Sequence, residues 1–249
     1  MKRFTRRYLL AVLLALIAVP VSAKELTVSA AVSLKEAFQD IAKLYQQQFP
    51  GVTVKLNTAG SGALVQQLRQ GAPVDVLATA DSSSMDLAMR HHDINPLSRR
   101  TFARNDLVLV LPQNSRQPLR ALADLQQPAI RRIAIGQPDG VPAGRYAKAA
   151  LEQAGLFAAL RPKLIYTQNV RQSLDYVARG EVDAGFVYRT DAVLMAGKVR
   201  IAYTVPLEQP VSYQIATAFN STDPMEAQRF VNFVASPSGR QILNRYGFR

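Results

Sequence analysis

Four short turns hold the residues of this chain best suited to chemistry. Ser33 lies in Ala30-Ala31-Val32-Ser33-Leu34 and Ser61 in Thr58-Ala59-Gly60-Ser61-Gly62-Ala63; Gly140-Val141-Pro142-Ala143-Gly144 and Gln168-Asn169-Val170-Arg171 stand at two further helix starts. The first turn of a helix leaves its N–H groups without intrahelical acceptors and carries the positive end of the helix dipole. Such turns bind anions without any charged side chain. Ser33, read as an N-cap, adds a hydroxyl, and the glycines flanking Ser61 let backbone approach a ligand. Tyr188 ends the strand Ala184-Gly185-Phe186-Val187, where a phenol can donate into a cleft or simply lie half-buried in the core. Asp191 reads as the cap of the next helix, and Arg171 either neutralises an anion or solvates a helix start. Taken singly, each turn has an ordinary structural role, since Ser caps helices, Gly fills loops and Pro opens first turns. Four of them facing one cleft would make the chemistry that of an anion held by donors.

Other chemistries find little support. The Gly60-Ser61-Gly62 turn lacks the Gly-Lys-Ser/Thr ending of a P-loop and the chain has no G-x-G-x-x-G, which argues against ATP and NAD. With no cysteine, disulfides, thiolate catalysis, Cys-ligated zinc and a lipid anchor on Cys are excluded. His91 and His92 are the only histidines; being adjacent, they diverge on a helix and cannot chelate as an i, i+4 pair does. An exported serine hydrolase using Ser33 or Ser61 would need a base nearby, and both histidines fall outside the four turns. Thirty Lys and Arg against eighteen Asp and Glu give a formal charge of +12 and a preference for anionic partners. No cluster of basic and aromatic residues suggests nucleic acid.

The elements that must position these turns alternate. In 249 residues, 48% of them hydrophobic, strand-like runs at 26–30, 52–56, 74–79, 107–111, 132–136, 164–167, 183–188, 201–205 and 211–219 alternate with helical spacing. That order predicts α/β architecture with parallel sheets covered by helices on both faces. Nine strand candidates exceed one small sheet, so the expected fold is two doubly wound lobes joined by a two-segment hinge, with a ligand cleft between them. Lobe 1 is expected to comprise 24–104 and 212–249, and lobe 2, inserted in it, 105–211. Ahead of them, residues 1–23 read as a cleavable export signal: Lys2, Arg3, Arg6 and Arg7, an apolar run from Tyr8 to Val19, then Val21-Ser22-Ala23 as the cleavage site. The apolar run is too short to span a membrane, and the paired arginines suit either the general or the twin-arginine route. Removing the segment takes away four cations and no acid, lowering the formal charge from +12 to +8.

Six segments, in order and at similar spacing over residues 24–249, resemble the periplasmic molybdate-binding proteins of ABC importers, the ModA family within the type II periplasmic binding proteins. They are Ala30-Ala31-Val32-Ser33-Leu34, Gly71-Ala72-Pro73-Val74-Asp75, Val141-Pro142-Ala143-Gly144-Arg145-Tyr146-Ala147, Asn169-Val170-Arg171, Val187-Tyr188 with Asp191-Ala192, and Tyr246-Gly247-Phe248. The chain departs from the pattern at Gly60-Ser61-Gly62, where some members carry a serine-rich run. The resemblance implies a periplasmic, non-enzymatic binding protein without cofactor. Molybdenum would enter only as the oxyanion, bound by the hydroxyls and amides of Ser33 and Ser61, the N–H groups of Ala143 and Val170, and the Tyr188 hydroxyl. It also implies membrane permease subunits as partners, and a diffusing binding protein is most simply a monomer. A tetrahedral dianion carries no proton at neutral pH and suits a pocket made only of donors. Phosphate keeps a proton and wants an acceptor, for which Asp139 is the nearest candidate; sulfate differs from molybdate in size alone, and tungstate hardly at all.

Overall fold

The computed structural model describes residues 24–249, so the expected signal segment 1–23 lies outside the described residues. In chain order the elements are β1 (Lys24–Ala31), α1 (Lys35–Gln48), β2 (Val52–Ala59), α2 (Ser61–Arg69), β3 (Val76–Thr79), α3 (Ser82–Arg90), β4 (Arg100–Asn105) and β5 (Leu107–Pro112). There follow β6 (Ile133–Gly136), α4 (Pro142–Gln153), α5 (Phe157–Leu160), β7 (Leu164–Thr167), α6 (Val170–Ala178), β8 (Ala184–Tyr188), α7 (Arg189–Leu194), β9 (Val199–Thr204), β10 (Val211–Thr217), α8 (Pro224–Val234) and α9 (Pro237–Arg245). The strands form two sheets of five, ordered β2-β1-β3-β10-β4 and β7-β6-β8-β5-β9. Each is built on a parallel trio whose helices return the chain from one end of the sheet to the other.

Two expectations need correction. The sheets are mixed: β10 runs antiparallel to β3 and β4, and β5 antiparallel to β8 and β9. Both strands are entered where the chain passes between the sheets rather than through a helical crossover, and only a crossover imposes parallel pairing. The second correction is β4 itself, absent from the strand candidates: Arg100-Thr101-Phe102-Ala103-Arg104-Asn105 lies at a sheet edge with Arg100, Thr101 and Arg104 exposed. An edge strand is paired on one side and tolerates charge that hides its alternation.

The chain passes from β4 to β5 at Asn105–Asp106 and returns between β9 and β10. Asp106 braces the first passage, accepting from Arg189 at 3.0 Å and from Arg249. Packing around β1 is typical of the interior. Leu26, Val28 and Ala30 are fully buried, as are Phe38, Ile41 and Tyr45 from the inner face of α1; removing a Leu- or Phe-sized side chain from water contributes about 1.5–3 kcal/mol. The buried carboxylates Asp75 and Glu226 are paired. Asp75, in the Gly71-Ala72-Pro73-Val74-Asp75 segment, accepts from the Thr27 and Thr222 amides and the Ser221 and Thr222 hydroxyls, tying the approach to β3 to the loop after β10. Tyr45 donates to Glu226 of α8, which also pairs with Arg229. Among the described residues no helix is long and apolar enough to cross a membrane.

Candidate anion-binding site

The two sheets face each other across a small cavity, and the helix starts meet there. Its lining is Ala31, Val32 and Ser33 after β1; Ala59, Gly60 and Ser61 at the β2–α2 turn; Ala80 after β3; Val141, Pro142 and Ala143 opening α4; Val170 opening α6; and Tyr188 ending β8. The cavity measures about 10 Å³, enough for one small group. All five residues singled out in the sequence, Ser33, Ser61, Ala143, Val170 and Tyr188, line it, and none exceeds 4% exposure.

Local sequence sets each donor. Pro142 at the first position of α4 fixes the helix start and leaves the Ala143 amide in the first turn, without an intrahelical acceptor. Asn169 caps α6, its side chain accepting from the Gln172 amide at 3.0 Å, and Val170 follows as the first helical residue. Ser61 opens α2 behind Gly60, and its Oγ accepts the Ala80 N–H at 3.0 Å, leaving its own hydrogen free. Ser33 does not cap a helix as expected: it sits in a single 3-10 turn, Val32–Leu34, with no capping bond, because its Oγ pairs with Tyr213 Oη at 2.9 Å instead. Tyr188 Oη is buried and has no hydrogen-bond partner among the described residues. Burial pushes this phenol well above its ordinary pKa, so it stays protonated at neutral pH.

No charged side chain lines the cavity, yet charge surrounds it in opposed pairs. Arg145 in the first turn of α4 donates to Asp81 at 2.8 Å and to the Ser84 hydroxyl at 2.7 Å, both at the start of α3. Arg171 in the first turn of α6 donates to Glu36 of α1 at 3.0 and 2.7 Å and to the buried Asp191 at 2.6 Å. A cation at a helix N-terminus opposes the dipole, and here each is met by a carboxylate from the other sheet. Arg171 therefore serves an ion-pair network rather than the cavity. Asp191, third in α7, receives the Tyr188 amide at 3.3 Å as well as Arg171. A backbone bond completes the contact between the halves, Gly62 N–H donating to Gly140 O at 2.9 Å. Asp139 is exposed and absent from the lining, as are His91 and His92 at the end of α3. Among the described residues no group of three His, Asp or Glu could hold a metal ion.

Arg145, Asp81, Glu36 and Tyr213 were not anticipated in these roles. A basic residue in a first helical turn was the available signal, since it calls for a carboxylate partner that sequence spacing does not locate. Burial disfavours the Glu36 carboxylate, but the Arg171 hydrogen bonds and charge outweigh this and hold its pKa below the usual range. A pKa lowered by a folded-state contact means stability that is present above the ordinary carboxylate pKa and lost as pH falls through the folded one. Thermal unfolding followed against pH should therefore show an acid-side loss that Glu36→Gln flattens. The effect should be about 1 kcal/mol or less, because the Glu36 side chain is 30% exposed; an identical acid limb in the variant would contradict the pairing.

Two α/β halves meeting on a buried, donor-lined cavity have the fold of the type II periplasmic binding proteins. Residues 26–249 match the bacterial extracellular solute-binding proteins, and the chain belongs to that family. It is 35% identical to the molybdate-binding protein ModA of Escherichia coli K12 over 230 residues, covering 90% of this chain and 88% of the relative. Identity to ModA of Mycobacterium tuberculosis H37Rv is 34% over 232 residues, with 91% and 85% covered. The periplasmic molybdate-binding protein of Azotobacter vinelandii superposes with a TM-score of 0.80 at 23% identity over 90% of this chain and 98% of that one, which establishes the shared fold. Its family and relatives bind solutes and are not enzymes.

Proposed function

We propose that this protein captures molybdate in the periplasm and delivers it to the membrane subunits of an ABC importer. The single observation carrying this is Tyr188 Oη, buried without a partner in a cavity whose other polar groups are hydroxyls and first-turn amides. An unsatisfied buried hydroxyl is costly unless a ligand meets it. Ser33, Ser61, Ala143, Val170 and Tyr188 are the proposed donors to a tetrahedral oxyanion that brings acceptors only. The lining offers no carboxylate to receive the proton that phosphate retains. Tungstate, nearly equal in size to molybdate, is proposed to bind as well.

Residues 1–23 are proposed to direct export and then be cleaved. Residues 24–104 with 212–249, and 105–211, are proposed to be the two lobes, hinged at the passages between the sheets. An ion that touches both lobes favours the closed form over the open one, and the closed form would present the surface read by the importer. The protein is proposed to act as a monomer. Isothermal titration of residues 24–249 with molybdate, tungstate, sulfate and phosphate in separate runs tests this. The expected result is tight one-to-one binding of the first two with little response to the others; preference for sulfate would change the solute, and silence toward all four would remove the site.

A further inference from the structure

The hydroxyl of Ser33 can either give or receive a hydrogen bond, and a pocket that rejects protonated oxyanions needs it only to give. The residues behind it determine which. Asn105, at the passage from β4 to β5, accepts the Asp106 amide through Oδ1 at 2.9 Å, which places its oxygen there and turns Nδ2 the other way. Nδ2 has two hydrogens and no capacity to accept; it reaches Thr190 Oγ1 at 2.9 Å and Tyr213 Oη at 3.3 Å. Tyr213, on β10 just past the return passage, therefore receives from Asn105, and its one hydrogen is left for Ser33 Oγ at 2.9 Å. Once Ser33 Oγ has accepted from the phenol, its own hydrogen remains for the cavity. All four residues, Asn105, Thr190, Tyr213 and Ser33, are at least 95% buried, so water does not compete for the positions. Ser61 is held in the same sense by a simpler device, the Ala80 N–H, which can only donate.

We infer that Asn105 and Tyr213 are specificity-determining positioning residues: through the chain Asn105 Nδ2 to Tyr213 Oη to Ser33 Oγ they commit the Ser33 hydrogen to the cavity and occupy one of its two lone pairs, and so favour oxyanions that bring acceptors only over those that keep a proton. This inference rests on the proposed oxyanion site and deepens it, since it assigns selectivity to groups that do not touch the ligand. It also places the orienting groups beside the two passages between the sheets.

Tyr213→Phe is the test. Its ring keeps its edge-on packing with Tyr188 at 5.8 Å and Phe248 at 5.2 Å between centroids, while Ser33 loses the donor behind it, so its hydrogen is no longer committed to the cavity and both of its lone pairs are free. Affinity for molybdate is expected to fall about tenfold, the scale of one hydrogen bond's net worth. Phosphate at neutral pH, read by competition against bound molybdate, is expected to bind as well as before or better. In a Ser33→Ala background the same substitution should change molybdate affinity by less than about twofold, because the chain ends at that hydroxyl. Asn105→Ala reads the same shift in selectivity if the buried Tyr213 variant does not fold. Molybdate and phosphate weakened by one common factor, or a full tenfold loss persisting without the Ser33 hydroxyl, would overturn the inference while leaving the site intact. A wild type silent toward molybdate and sulfate alike would overturn the proposed function itself; one that prefers sulfate, also proton-free, leaves the inference testable with sulfate as the probe.

Discussion

Tyr188→Phe is expected to weaken molybdate binding by about 10- to 100-fold and, in the same protein, to raise the melting temperature of the ligand-free form. The two effects have opposite sign because one atom causes both. Tyr188 Oη is buried without a partner among the described residues, and a buried hydroxyl left unmade carries a desolvation cost of about 1–3 kcal/mol. Deleting it relieves the ligand-free protein, whose melting temperature for a chain of this size moves by about 2–4 °C per kcal/mol. With an oxyanion present the same hydroxyl makes a charge-assisted bond of about 1.5–3 kcal/mol, and its loss sets the fall in affinity. The ring is fully enclosed and the substitution is nearly isosteric, so packing changes little. Titration calorimetry and thermal unfolding on one preparation read both numbers. Unchanged affinity would exclude Tyr188 as a ligand, and a drop in melting temperature would mean that the hydroxyl already has a partner.

Gly62→Ala is expected to reduce affinity by 100-fold or more. A Cβ at Gly62 would stand 2.6 Å from Gly140 O and 2.7 Å from Gly140 Cα, distances that real Cβ atoms do not adopt. Both offending atoms are backbone of the opposite half and cannot rotate away. Separation of the halves relieves the clash, so its cost falls on the closed state and on the ligand that needs that state, a shift of about 2.7 kcal/mol or more for a 100-fold change. Unaltered affinity would show that the halves do not meet at this turn when the ion is bound.

The site was more legible than the frame that holds it. Pro142 and Asn169 mark helix starts by chemistry that acts within a few residues, so the two first turns could be placed from the sequence, and the family resemblance implied which of their amides, Ala143 and Val170, face the cavity. The same holds for the glycines around Ser61 and for a tyrosine at the end of an apolar strand. What could not be read depends on partners far along the chain. Strand β4 becomes a strand by pairing with β10, whose residues lie more than a hundred positions away, and both antiparallel strands are set by how the chain passes between sheets. Ser33 was expected to cap a helix because local chemistry favours it, and a tyrosine 180 residues later took its hydroxyl instead. The ion pairs of Arg145 with Asp81 and of Arg171 with Glu36 belong to the same class, visible in the sequence only as cations at the wrong end of a helix.

The hydrogen bond from Gly62 to Gly140 and the near-complete burial of the cavity lining also bear on timing. An ion held by groups from both halves leaves when they separate, so its dwell time should follow the opening motion rather than its own contacts breaking one by one. Two oxyanions of unequal affinity should then be captured at similar rates and differ in how long each keeps the halves together. For an importer, the length of that interval decides which ion is still aboard when the membrane is reached.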